Sequence, residues 1–213
     1  MNIKAALGTI AGLLCLGLCV AVVESNGAVA NNGPIQLCQV RVNACGSVQT
    51  DLTFPTYGND SVVGLQDCTF AAVANWEEIV LGITPGSTII ESEFAKANAQ
   101  NFGLTNDQVF SYWHKSGIGQ TYLKAALALP TDQVSLKSAI NNPAIKAPIA
   151  ELHLTIGQNF AGVQVQSASY HWVVVDGYTA TGPLVVTWGQ NLQMTWQQWN
   201  LEVVAMWGIS VSM

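Results

Sequence analysis

The sequence predicts an α+β domain, with helices first and an antiparallel sheet afterwards, on three observations. Before Pro143, helix-capping residues open runs whose apolar side chains recur at helical spacing. After it, the segments are rich in Val, Ile, Leu, Trp and Tyr, the composition of strands. A turn at Gly182-Pro183, preceded by Thr179 to Thr181, joins two of those segments as a hairpin. Segregation of helices and strands along a chain marks α+β rather than α/β.

The first 30 residues read as a signal peptide. Lys4 is followed by an uncharged run over 5–23, and Ala28-Val29-Ala30 supplies small residues for cleavage after Ala30. The rival is a retained anchor, because the run approaches the roughly 20 residues that span a bilayer. Neither Cys15 nor Cys19 follows a small residue directly, which argues against a lipid anchor.

The remaining 31–213 comprises 183 residues, the size of one domain. Loss of Lys4 and Glu24 leaves six basic against twelve acidic residues, so the net charge stays at −6. The acids are scattered, and the balance offers no footprint for nucleic acid. The expectation is an extracytoplasmic monomer, secreted or periplasmic, with no stable membrane association once the signal is cleaved. Only 9% of the chain is charged, so its polar surface must come from Asn, Gln, Ser and Thr.

Cleavage leaves Cys38, Cys45 and Cys68. Cys38 and Cys45 flank a short polar loop and form the natural disulfide pair in an oxidising compartment, which leaves Cys68 as a free thiol. A free thiol in an exported chain is either a small buried side chain or a nucleophile.

Residues 31–59 are polar and interrupted by Pro34, Gly46, Pro55 and Gly58, which predicts an extended segment strapped down by the disulfide. The first helix follows, with Asp67 as cap, Phe70, Val73, Ala74, Val80 and Leu81 on one face, and Gly82 as its stop. Capping-box patterns at Thr88/Glu91 and Thr105/Gln108 open two more, the latter ending near Gly117. A fourth helix covers 132–140. Strands are expected over 147–156, 170–178, 184–188 and 202–211.

Cys68 sits in the first turn of its helix, where the positive end of the dipole favours a thiolate. Asp67 opposes this unless its carboxylate turns inward to cap amides. Of three histidines, His171 is the best base, at the entrance of the apolar strand Tyr170-His171-Trp172-Val173-Val174-Val175-Asp176-Gly177-Tyr178. His114 lies near a helix C-terminus, where a cation complements the dipole. His153 alternates with apolar neighbours as a sheet-face residue. No metal site is expected, because the remaining His, Cys and Asp residues do not cluster, and no cofactor is implied.

A Cys at the start of the first long helix, a His about a hundred residues later beginning an apolar strand that ends in Gly-Tyr, and then Val186-Thr187-Trp188-Gly189 together resemble the papain-like cysteine peptidase superfamily. With Met194-Thr195-Trp196 after the Trp-Gly, the chain is most similar to bacterial double-glycine-leader-peptidase-like, that is bacteriocin-processing-peptidase-like, secreted proteins. The resemblance covers the whole of 31–213 and implies a papain-like fold with Cys68 as nucleophile and His171 as base.

Two helper positions depart from that pattern. The superfamily places a Gln six residues before the nucleophile as oxyanion donor, and here Val62 stands there; Asn59, Gln66 or neither takes the role. The Asn that orients the imidazole is replaced by Val186, leaving Thr187, Asn191 or, at about 17 Å along an extended strand, Asp176. Asp176 is better explained as a turn former before Gly177. Trp188 matches the tryptophan that shields the Cys-His pair, whereas core packing explains Trp172, Trp196, Trp199 and Trp207.

The function implied is a secreted thiol hydrolase cleaving peptide or amide bonds of a peptide or protein substrate. The alternatives are another acyl-transfer enzyme on the same fold (cell-wall amidase, deamidase or transglutaminase-like) and a catalytically inactive binding module.

Overall fold

A computed structural model of the chain describes residues 67–97, 104–160, 163–165 and 169–213. The expected signal peptide over 1–30, the segment over 31–59 with Cys38 and Cys45, and Asn59, Val62 and Gln66 lie outside the described residues.

The described elements are α1 (Cys68–Leu81), α2 (Ser87–Ala97), α3 (Asn106–Ser116), β1 (Tyr122–Ala128), α4 (Gln133–Asn141), β2 (Ile149–Leu154), β3 (Asn159–Phe160), β4 (Val163–Gln164), β5 (Ser169–Tyr178), β6 (Pro183–Thr187), β7 (Gln190–Gln193), α5 (Trp196–Glu202) and β8 (Val203–Ser212). Six strands form one sheet in the order β1-β8-β2-β5-β6-β7, with every neighbouring pair antiparallel. β3 and β4 pair separately. The protein is α+β, as the sequence predicts.

Local chemistry explains most boundaries. Thr105 and Gln108 make the expected capping box, and Asp132 caps α4 through the amides of Val134 and Ser135. Gly82 ends α1 in the left-handed region at φ 69°, which glycine enters without the Cβ penalty. Asp67 departs from expectation: its backbone (φ −99°, ψ 16°) is not the extended form of the other caps, and its side chain makes no capping hydrogen bond. Its carbonyl instead accepts from the amides of Phe70 and Ala71 at 2.9 and 3.0 Å. α2 starts at Ser87, one residue before the expected Thr88, with the Ser87 hydroxyl donating to Glu91.

α1 is not the one-faced helix that its spacing suggests. Every residue from Thr69 to Glu77 is buried, because β5 and β6 pack against the helix together with α2. The sheet separates two clusters. Phe70, Val73 and Trp76 of α1 meet Ile149, Trp172, Val174 and Val186 on one face, while Leu152, Phe160, Val173, Val175, Val185 and Trp199 fill the other. Alternation along β5 therefore decides which face each of its side chains serves. Trp172, Trp199 and Trp207 are core residues, but Trp196 is half-buried beside Tyr178, with the Lys137 ammonium 5.0 and 5.1 Å from the two ring centres.

The far half of α1 is fixed by a buried carboxylate. Glu77 accepts from the Gln120 amide at 3.0 Å, and Glu93 of α2 accepts from the Gly119 amide at 2.7 Å, so two acids hold the turn between α3 and β1. Gly119 has φ 62°, and a methyl there would overlap the Glu77 carboxylate. Burial, with Glu93 adding, pushes the Glu77 carboxyl up to about 7.

Candidate active site

Cys68 is the first residue of α1 and is half-buried. Helix geometry leaves its amide without an intrahelical acceptor. The Sγ lies 3.9 Å from the carbonyl oxygen of Tyr170 and also receives the Trp172 amide. Both groups point to the same side of β5, and His171 lies between them. The strand thus brings residue 171 alongside the thiol across 103 positions of sequence.

The imidazole of His171 is 5% exposed, and its Nε2 lies 2.7 Å from Thr187 Oγ1, which is buried at the end of β6. With Nε2–H donating to the hydroxyl, Nδ1 is left as the acceptor nitrogen of the ring. Trp188 covers the imidazole, with ring centres 4.9 Å apart and planes 30° apart, and Phe160 meets Trp188 edge-on at 5.6 Å. Trp188 reaches this place through a two-residue turn with Gly189, in which Trp188 has φ 50° and Gly189 φ 66°. Such a φ is costly for a bulky side chain and needs surrounding contacts to hold it.

Among the described residues, the thiol and imidazole make no hydrogen bond to each other: the thiol bonds to backbone and the imidazole to Thr187. Both are neutral at rest. Burial pushes the Cys68 thiol up to about 11; the Trp172 and Thr69 amides pull it down in part, while the carboxylates of Asp67 and Glu151 push it further up. Burial alone pushes His171 down to about 4. Such a pair does not store a thiolate-imidazolium. Alternation along β5 puts the imidazole on the Val173 face, against Phe160 and Trp188, while the sulfur lies at the strand's backbone, so any proton transfer between them must accompany attack.

The other candidates sit elsewhere. Asn191 pairs with Val186 across β6 and β7, and its buried Oδ1 has no hydrogen-bond partner. Asp176 is not a turn former: it is the extra residue of a bulge where β5 passes β6, and the turn lies at Thr179 to Gly182, organised by the Thr179 hydroxyl. His114 uses Nδ1 to donate to the Leu123 carbonyl at 2.8 Å, and His153 is exposed on β2. Among the described residues, no group of three or more His, Cys, Asp or Glu side chains could hold a metal, and no helix is long and apolar enough to cross a membrane.

Two residues of this region carry no sequence motif. Phe160 supports Trp188 from a two-residue strand, and nothing in its local pattern marks it. Glu151 acts on the sulfur from β2; a charge within an otherwise alternating strand was its only signal. No protein-family model, curated protein or solved structure matches this chain.

Proposed function

We propose that the chain is an exported thiol hydrolase with a papain-like fold, cleaving an amide bond of a peptide or protein. The observation that carries the reading is the convergence at β5. The sulfur at the start of α1 lies against the backbone on both sides of His171, whose imidazole is anchored by Thr187 and roofed by Trp188.

The reaction follows from those groups. As Cys68 Sγ attacks the carbonyl carbon, its proton passes to His171 and a C–S bond forms; the oxyanion faces the Cys68 amide. Collapse breaks the C–N bond, and His171 returns the proton to the departing amine. Water, deprotonated by the same imidazole, then breaks the C–S bond, releases the acid and restores the thiol. Thr187 is a positioning residue, and Trp188 keeps water from the Thr187–imidazole bond. No cofactor is required. The enzyme works as a monomer outside the cytoplasm, secreted or periplasmic, with no stable membrane attachment after cleavage at Ala30 and no nucleic-acid partner.

A second reading, a catalytically silent binding module, is favoured by the neutral thiol and low imidazole and by Val62 and Val186 at the two helper positions. Incubation with a diverse peptide mixture, followed by mass spectrometry of the products, separates the two. Cleavage that disappears in Cys68→Ala supports the hydrolase; intact peptides bound equally by wild type and Cys68→Ala support the module.

A further inference from the structure

We propose that the sheet face beside Cys68 is a subsite for a positively charged side chain flanking the scissile amide, built from Glu151, Tyr170 and His153. The inference rests on the thiol-hydrolase reading and names the substrate class of that site.

The register of β2 and β5 sets Glu151 opposite Trp172 and His153 opposite Tyr170, so these four side chains share one face. Trp172 belongs to the cluster beneath α1, which fixes that face as the one on which the nucleophile's helix packs. Trp172 is buried there, but the next pair outward is open. Tyr170 is 62% exposed and His153 is exposed, with their ring centres 5.1 Å apart. The same Tyr170 supplies the carbonyl that touches the Cys68 thiol, so the aromatic pair begins one residue from the reacting atom.

Glu151 gives this platform a sign. Its Oε2 accepts from Asn106 Nδ2 at 2.8 Å, and Asn106 Oδ1 accepts from Trp172 Nε1 at 3.0 Å, which orients the carboxylate. Among the described residues it has no ion-pair partner, and its charge reaches the Cys68 sulfur. A Lys or Arg side chain would find a counter-charge there and an aromatic face for its cation. An acidic side chain would meet the Glu151 carboxylate. A purely apolar one would desolvate Glu151 without a partner.

Dipeptidyl chloromethyl ketones carrying Lys, Leu or Glu beside the electrophile test this, with the rate of labelling at Cys68 read by mass spectrometry. The wild type is expected to react about tenfold faster with the Lys probe than with the Leu probe, and slowest with Glu. Glu151→Gln is expected to bring the Lys-to-Leu ratio to within about twofold. Tyr170→Ala is expected to lower the ratio, and Tyr170→Phe, which keeps the ring, to restore it. A wild-type ratio near one, or a ratio unchanged by Glu151→Gln, overturns the subsite while leaving the hydrolase reading intact. Failure of every probe to label Cys68 overturns both.

Discussion

The two ends of α1 use polar groups in opposite ways. In its second half, Glu77 is fully enclosed, its oxygens engaged by Gln120 and Thr121, and Gly119 leaves no room for any other arrangement. At its first residue, Cys68 is half-buried and bonded only to backbone, and the neighbouring His171 imidazole is turned toward Thr187. The locked end fixes the helix relative to β1 and α2, and the open end presents a half-buried thiol held only by backbone groups. The same burial that raises Glu77 to about 7 raises Cys68 to about 11, so a low dielectric by itself makes neither a lock nor a nucleophile. The available partners decide.

The largest effect that tests this contrast belongs to the open end. His171→Ala is expected to lower peptide hydrolysis by about 10²–10⁴-fold, measured as turnover of whichever peptide the wild type cleaves best. Gly119→Ala acts on the locked end: forced against the Glu77 carboxylate at a positive φ, it is expected to cost about 2–3 kcal/mol in urea unfolding. Cys68 labelling well below the transition midpoint should be unchanged. Equal damage to stability and labelling would mean that the two ends are not separable.

Thr187→Val, which keeps the shape and removes the hydroxyl, is expected to reduce turnover about tenfold, or about 1.4 kcal/mol in the barrier. Thr187→Asp would place a carboxylate on Nε2, raise the imidazole and shift the acid limb of the rate profile upward.

The smallest effect is a slope. The folded value of Glu77 lies above its ordinary 4.5, so the native state keeps a proton that the unfolded chain has released. Its contribution is complete below pH 4.5 and is lost as pH rises through about 7. His171 works in the opposite sense: its folded value lies below 6.5, and stability falls as pH drops from 6.5 toward 4. Burial also pushes Glu202 up to about 7, so Glu77→Gln should reduce, without abolishing, the loss between pH 4.5 and 7 in denaturant midpoints, and should leave the His171 contribution in place.

Much of this was legible from residue patterns. Thr105/Gln108, Asp132 and Gly82 mark helix ends through their own hydrogen bonds and dihedrals, and β2, β5, β6 and β8 announce themselves by composition. β1 does not: Tyr-Leu-Lys-Ala-Ala-Leu-Ala favours a helix, and pairing with β8 overrides it. α5 carries a capping box at Thr195/Gln198 but has only seven residues, too few to show helical periodicity. The relation of Thr187 to His171 depends on the register set by the Asp176 bulge, which no local pattern encodes. The open face of Tyr170, His153 and Glu151 likewise exists only once β2 and β5 are paired.

The most direct test is acylation of Cys68 by an activated peptide ester, followed by intact mass in wild type and His171→Ala. An acyl adduct on Cys68 is expected to form and then hydrolyse in the wild type, and to form at least about 100-fold more slowly without the imidazole. Adduct formation at equal rates in both proteins would contradict this.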